Sequence, residues 1–283
     1  MVAKIVRFCV FLIAALCLLS ACSDSEPYQS PDPVEVDSPE EATPPVEAAP
    51  APVRQGGFDS PEDAVAAYLE GLRDMDLDRM IDAFAIEAVK HFNMEAHLDW
   101  IGVYQPTREM PLPNANELTT AMNIEMRRGE VVYMIRTQYL ILSQFDFAMQ
   151  RVEAGEIDDF IRDMNAALNA PELHTLRILG FIPPETIERY DTESNQDNMA
   201  RNARVSGAEQ VVSRIAVFEL GGNKGVLFVD AVEYGGRWYI GTFGGNAATL
   251  AGIPFHVHGL VVFPPEYMDE FLEEFAASII TDW

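Results

Sequence analysis

Three β-rich runs separated by glycine turns limit most strongly what this chain can fold into. They read VVSRIAVFEL from Val211, GVLFVDAVEY from Gly225 and RWYIGTFG from Arg237, and they are separated by GGNK and GG. Paired glycines supply the positive φ angles that tight hairpin turns require. Because strands joined by short turns pair antiparallel, the sequence predicts a meander of three antiparallel strands.

Helical patterns dominate the chain before Gly207. The clearest begins with Ser60, a good N-cap, and Pro61, which suits the first helical position. Helices followed by an antiparallel sheet predict an α+β fold. The remaining apolar stripes predict further helices. One begins after the cap Asp76 and another at Ile157, and three more cover residues 91–101, 117–145 and 246–253. Two others are predicted, one that ends near Arg204 and one that begins after residue 264.

Residues 1–21 have the organisation of a lipoprotein signal peptide. Lys4 and Arg7 are followed by the apolar run Phe8–Leu19, which is shorter than the roughly 20 residues of a membrane-spanning helix. The run ends in Leu19-Ser20-Ala21-Cys22, which resembles the lipobox of bacterial lipoproteins. The resemblance implies that Cys22 carries diacylglycerol and becomes the mature N-terminus. It also implies export and anchoring to the outer face of the cell membrane, or to an outer membrane if the organism has one.

The organisation of the mature chain follows from this cleavage site. Residues 22–57 are rich in Pro, Glu and Asp, so they cannot bury enough apolar surface to fold and are predicted to be a disordered tether. Residues 58–283 are predicted to form a single α+β domain with a helical part, 58–205, and a β-rich part, 206–283. Cys9 and Cys17 leave with the leader, so no intrachain disulfide can form, although an intermolecular one through Cys22 remains an alternative.

The charge of the chain constrains its partners. The formal net charge is -26 at pH 7, and such a surface repels phosphate backbones, so nucleic acid is not expected as a partner. The same charge also keeps a protein soluble, which is the simpler interpretation.

Two short motifs with metal-binding residue types have simpler explanations. Asp74, Asp76 and Asp78 alternate as in an EF-hand loop, but that motif requires Gly and Glu where Arg79 and Ala85 stand. A helix-helix turn with a capping aspartate is therefore favoured. His256 and His258 would point the same way on a strand and are weak metal candidates, because no third ligand is evident nearby.

Motifs of covalent and nucleotide chemistry are not found in the mature sequence. There is no G-x-S-x-G or S-x-x-K, and the glycines of GGNKG and GTFGGN do not fit nucleotide-binding loops. The sequence therefore assigns no catalytic residue and no cofactor, and it leans against an enzyme without deciding the question.

The stretches SPEDAVAAYLEGLRDMDLDRMIDAFA and GGRWYIGTFGG resemble exported bacterial lipoproteins with an NTF2-like domain. The resemblance implies N-terminal helices packed on a C-terminal curved antiparallel sheet, here with a large helical insertion between about residues 114 and 204. It also implies a cone that holds an apolar cavity. The pocket residues expected from the first helix and the β-rich part are Tyr68, Phe218, Phe228, Tyr234, Trp238 and Tyr239, with plain core packing as the alternative for each.

Three functions are compatible with these features. The first is a membrane-anchored binding module for a small ligand or an envelope protein. The second is a hydrolase or isomerase that uses a pocket carboxylate and histidine, which a cavity holding His256 beside a carboxylate would favour. The third is a structural envelope component, which a fully packed cone would favour.

The lipobox leads to a test of membrane anchoring. In producing cells grown with radioactive palmitate, the protein should become labelled, and Cys22→Ala should remove the label because that variant has no thiol at the modification site. Cys17→Ala is the matched control, because it removes a cysteine of the leader and should keep the label. Label retained by Cys22→Ala would contradict lipidation at this residue.

Overall fold

A computed structural model describes residues 56–103, 110–143, 155–168, 171–188, 190–244, 248, 257–262 and 265–283. All of them belong to one structural unit, Val53–Trp283. The predicted signal peptide, Cys22, His256 and nearly all of the predicted helix 246–253 lie outside the described residues. Among the described helices, none combines the length and apolar character that crossing a membrane requires.

Two of the described helices start where the sequence predicts caps. The Ser60 side chain accepts a hydrogen bond from the Asp63 N–H, and Asp76 does the same for Arg79, so both predicted N-caps are confirmed. The α-helices are α1 (Pro61–Asp74), α2 (Leu77–Asp82), α3 (Met94–Ile101), α4 (Glu117–Leu142), α5 (Ile157–Leu168), α6 (Glu193–Ser206) and α7 (Pro265–Phe275), with 3₁₀ helices at Glu87–His91, Pro171–Thr175, Pro184–Thr186 and Ala276–Ser278.

The predicted meander is confirmed as the centre of a curved, open antiparallel sheet. The strand order is β1-β2-β3-β4, and β5 pairs with the part of β3 that β4 leaves uncovered. The fold is therefore α+β, as predicted. The strands are β1 (Arg177–Ile182), β2 (Gln210–Leu220), β3 (Asn223–Tyr234), β4 (Arg237–Phe243) and β5 (Leu260–Val262).

Strand β1 was not predicted and lies inside the predicted helical part. Its sequence RILGFI is a short apolar run interrupted by Gly180, a pattern that does not separate strand from helix. Its pairing partner, β2, comes almost thirty residues later in the chain. The strand ends at Ile182 because Pro183 and Pro184 follow, and proline has no N–H for a sheet ladder.

The sheet buries side chains on both faces, because successive residues of a strand point in opposite directions. On the helical face, Phe218 and Leu227 pack in one core cluster with Tyr68 of α1 and Ile135 of α4. On the C-terminal face, the strand residues pack against α7. That second cluster contains Ile215, Val217, Val226 and Phe228 from the strands and Met268 and Phe275 from α7.

The outer edges of the sheet are covered by short backbone pairings. Ile240 of β4 donates to the Ala83 carbonyl at 2.8 Å, and Trp238 exchanges hydrogen bonds with Phe58. Beyond β1, Phe181 exchanges hydrogen bonds of 3.0 and 2.8 Å with Ile280. Covering an edge blocks unwanted strand addition, so these outer edges are protected by the chain itself.

A buried ion pair joins α1 to β2. Arg214 Nε donates to Glu62 Oε1 at 2.5 Å, and the two side chains are only 11% and 12% exposed. Arg214 Nη1 also donates to Glu185 Oε1 at 2.6 Å. The guanidinium therefore links α1, β2 and the segment that follows β1.

Loss of this arginine should destabilise the fold. Arg214→Ala leaves Glu62 as an uncompensated buried carboxylate, and we expect the free energy of unfolding to fall by about 3–5 kcal/mol. Urea denaturation of the purified protein measures it. Arg162→Ala is the matched control, because Arg162 pairs with Asp159 at the surface, where both side chains are 68% exposed, and should cost less than about 1 kcal/mol. Equal losses in both variants would contradict the assignment.

Candidate functional site

The six pocket residues expected from the sequence lie on opposite faces of the sheet. Tyr68 packs on the helical face with Phe218. Trp238 lies two residues before Ile240 on β4, so its side chain points to the same face as Ile240, which belongs to that cluster. Phe228, Tyr234 and Tyr239 lie on the other face, with Phe228 in the cluster under α7 and the two tyrosines in a cluster next to α6. The structure therefore does not bring the six together around one cavity.

The helical face is filled by side chains where a ligand-binding cone was expected. The Tyr68 ring lies 5.8 Å from the Phe84 ring and 4.9 Å from the Phe243 ring, measured between centroids. Its hydroxyl donates to Gln138 Oε1 at 2.7 Å, and burial raises the pKa of Tyr68 well above its ordinary value. Tyr68, Phe218 and Phe84 are at most 3% exposed, so these residues form a packed core.

Trp238 and Tyr239 hold the first described residues of the domain. The Trp238 backbone exchanges hydrogen bonds with Phe58 at 2.9 and 3.0 Å. The Tyr239 hydroxyl donates to the Gly56 carbonyl at 2.8 Å, and Arg237 donates to the Gly57 carbonyl. These contacts place the entry of the chain into the domain at the outer edge of β4.

Tyr234 and Phe228 also make contacts within the fold. The Tyr234 hydroxyl donates to the Ser206 carbonyl at 3.0 Å, and its ring stacks on His91 with centroids 5.8 Å apart. Burial raises the pKa of Tyr234, although the Ser206 hydrogen bond and Arg127 oppose that effect. Phe228 is fully buried. Both side chains therefore connect the sheet to its neighbours.

His258 occupies a turn rather than the strand on which a metal pair was considered. Its φ of 47° is left-handed, and its ring meets the Tyr133 ring edge-on with centroids 5.5 Å apart. Burial lowers the pKa of His258, while Glu130 acts in the opposite direction. Within the described ranges, no group of three or more His, Cys, Asp or Glu side chains is arranged to hold a metal ion.

An open cleft of about 250 Å³ lies beside the first residues of β2. We call it the edge cleft. One wall is the segment after β1 and the start of α6, and the other is β2 itself. Its lining residues are Pro184, Glu185, Tyr190, Asp191, Asn195, Gln196, Met199, Gln210, Val211, Val212 and Ser213.

The edge cleft exists because β2 extends further than β1. The β1–β2 ladder stops at the pair Ile182–Ile215, since Pro183 and Pro184 cannot continue it. Strand β2 nevertheless continues to Gln210, paired with β3 alone. Consecutive residues 210–213 all line the cleft, although their side chains alternate between the two faces. The cleft must therefore lie along the backbone edge of β2.

The floor and rim of the edge cleft are polar. Ser213 Oγ donates to Asp230 Oδ1 at 2.7 Å, and the two residues are 6% and 5% exposed. At the rim, Arg214 Nη1 donates to both Glu185 and the Ser213 carbonyl at 2.6 Å, and Gln196 donates to Asp191 at 2.7 Å. Between these polar groups, Tyr190, Met199 and Val211 provide apolar surface.

A second hollow, of about 410 Å³, lies at the turn between α1 and α2 and is lined in part by Asp76, Asp78 and Arg79. Its charged groups serve the fold. Arg79 pairs with Glu70 and with Asp74, and Asp76 caps α2. The capping turn that the sequence favoured over an EF-hand loop is therefore present.

Sequence reasoning did not identify the edge cleft. The available signal was the pair Pro183-Pro184 directly after the apolar run RILGFI, which marks the end of a strand. That signal has meaning only once β1 is known to pair with β2, and the register of that pair belongs to the tertiary structure.

Comparisons with known proteins found a weak structural similarity. No protein-family model and no curated protein matches the sequence. A cystatin-like protein from Ruminococcus gnavus ATCC 29149, known from a crystal structure, is 15% identical to this chain with a TM-score of 0.42. The match covers 73% of this chain and 45% of that protein, so this chain corresponds to less than half of its length.

The environment of His258 predicts a pH effect on stability. Because burial lowers the His258 pKa in the folded protein, the unfolded chain takes up this proton first as the pH falls through about 6.5. The contribution is fully present above that pH and is lost on acidification. His258→Asn, which tolerates the left-handed φ, should lose less stability between about pH 7.5 and pH 5. Urea denaturation across this range measures it, and an unchanged pH dependence would contradict the prediction.

Proposed function

We propose that this protein is a lipid-anchored extracytoplasmic binding module that takes a small ligand or a segment of an envelope protein in the edge cleft. The observation that carries the proposal is the combination of open volume, polar groups and apolar surface at residues 210–213 and the facing wall. Binding sites commonly combine apolar walls with a few placed polar groups. The anchor is Cys22, and residues 22–57 form the tether.

The buried polar pair under the cleft supports this location. Ser213 and Asp230 are both nearly inaccessible, and a buried polar pair costs desolvation energy that apolar residues would avoid. A satisfied buried pair fixes a specific local arrangement, and Ser213 belongs to the lining of the cleft. The negative charge of the chain argues against nucleic acid and other polyanions as the ligand.

We also propose that the domain is a variant of the NTF2-like fold. The support is the packing of α1, which follows the resemblance noted in the sequence, on one face of the curved antiparallel sheet. In this variant the cone is filled by Tyr68, Phe84 and Phe243, and the binding site is at the edge of the sheet.

The packed helical face favours a second candidate, a structural component of the envelope without a ligand. A hydrolase or isomerase is favoured less, because no histidine is found among the described residues that line the edge cleft. The binding and structural candidates differ in whether the edge cleft is occupied in the cell.

Site-specific photo-crosslinking in the producing cells tests the proposal. The full chain carries p-benzoylphenylalanine in place of Gln196, an exposed residue of the cleft wall. Irradiation should give a discrete adduct, identified by mass spectrometry, because a ligand in the cleft lies next to this side chain. Arg128, whose side chain is 49% exposed on α4, is the matched control position and should not give the same adduct.

Two further results decide between the candidates. Met199→Arg places a large charged side chain in the cleft and should remove the adduct from position 196 while membrane anchoring persists. No adduct from position 196, or the same adduct from both positions, would contradict binding in the edge cleft and favour the structural candidate.

A further inference from the structure

We propose that the ligand of the edge cleft is an extended peptide segment that adds to β2 as a strand and carries a cationic side chain. This inference rests on the proposed function, because it names the chemical class of the ligand for the same site. The segment would occupy the position that β1 leaves empty after Ile182 and would pair with residues 211–213.

The hydrogen-bonding direction of β2 supplies the first argument. The Phe228 N–H and C=O bond to Gly259 and Gly244, on the side of β3 that faces away from β2. Ile215 is the partner of Phe228 in the β2–β3 ladder. Because Phe228 does not bond toward β2, the backbone groups of Ile215 also point away from β3. These directions alternate along an antiparallel ladder. Ser213 and Val211, two and four residues before Ile215, therefore direct their N–H and C=O groups into the edge cleft.

Most of these backbone groups have no partner within the described part of the chain. The Ser213 carbonyl already accepts from Arg214. The Ser213 N–H and both backbone groups of Val211 have no backbone partner among the residues that the structure describes. Unpaired groups along a strand edge are what an incoming peptide uses in β-augmentation.

The backbone pairings that cover the other strand edges supply the second argument. Strand β4 is covered by Phe58 and Ala83, and β1 is covered by Ile280. Strand β3 is covered by β4 and β5. Within the described sheet, the chain pairs residues at each of these edges but leaves residues 211–213 of β2 without a second strand beside the cleft. An edge left open in this way, with polar walls, is suited to a specific strand partner.

The side chains of the cleft indicate which peptide fits. Glu185 is already paired with Arg214 at the rim, whereas the hydrogen bond described for Asp191 comes from the neutral amide of Gln196. A cationic side chain complements the Asp191 carboxylate. Tyr190, Met199 and Val211 offer apolar contacts. Because side chains of a strand alternate, a peptide that alternates apolar and cationic residues matches both features.

The acidic tether of this chain is a poor occupant of the same site. Residues 22–57 are rich in Glu and Asp and would be repelled by Asp191. Their many prolines lack the N–H donors that a paired strand needs. The chain also enters the domain at the outer edge of β4, held by Arg237 and Tyr239, while the open segment belongs to β2, two positions away in the strand order.

The test measures binding of defined peptides to the purified full chain by fluorescence anisotropy. The probe is fluorescein-labelled Val-Lys-Val-Lys-Val-Lys amide, with the Lys→Glu form as the charge control. Two further forms carry N-methyl groups on alternate amides, one form for each edge of the strand. We expect one N-methylated form to bind at least about tenfold more weakly and the other to stay within about threefold, because only one edge faces β2.

Protein variants test the charge argument. Asp191→Asn should weaken binding of the lysine peptide several-fold, and the Lys→Glu peptide should not bind measurably. Asp99→Asn is the matched control, because Asp99 is an exposed carboxylate on α3 outside the cleft and should leave the affinity unchanged. Equal weakening by both variants would show that only the overall negative charge attracts the peptide, and it would overturn the site.

The remaining outcomes separate this inference from the proposed function. Equal affinity of the two N-methylated forms would overturn strand addition, as would equally effective competition by lysine amide alone, which would indicate a small-amine site. If no peptide binds but the adduct at position 196 persists, the peptide inference fails and the binding function stands. If the adduct is also missing, the proposed function fails as well.

Discussion

Backbone pairing between β2 and β3 is the interaction on which the rest of the domain depends. The two strands pair in unbroken register from Gln210–Glu233 to Leu220–Asn223. Their length allows each face to carry its own core, with α1 and α4 on one side and α7 on the other. Apolar side chains are buried on both faces of the sheet. A one-residue slip in the β2–β3 register would move each side chain to the opposite face and is therefore unfavourable.

The same pair explains how an edge can stay open without weakening the fold. Residues 210–214 of β2 are held by β3 on one side, and Arg214 is fixed by Glu62 from α1. The strand therefore does not need β1 along its whole length. The double proline after Ile182 removes the neighbour, and a pre-formed strand edge remains beside the cleft.

Local signals in the sequence predicted the elements whose causes are local. Ser60 and Asp76 cap their helices through their own side chains, and the glycine turns define the hairpins of β2, β3 and β4. Helix α4 continues through Gly129, because Val131 and Ile135 after it are buried in the core and Ile124 before it packs against the core. Packing outweighs the low helix propensity of one glycine.

The six residues expected to line one pocket do not lie together, and the strand register explains why. With the turn at Gly221-Gly222, Phe218 lies opposite Gly225, so Phe228 must face the other side of the sheet. Hydropathy marks both phenylalanines as core residues and does not assign them to a face. The aromatic residues Trp238 and Tyr239 likewise hold the entry of the chain, through contacts with Phe58 and Gly56, which are 180 and 183 residues away in sequence.

The sequence by itself determined the three-stranded meander, the caps Ser60 and Asp76, the α+β class and the expectation of a lipid anchor at Cys22, because each depends on residues that are neighbours in the chain. Only the tertiary structure decided that β1 joins the sheet, that the helical face is packed, and that Val211 and Ser213 face an open cleft. These features depend on where each strand ends relative to the strand beside it. That relation is set by pairing between residues far apart in the sequence.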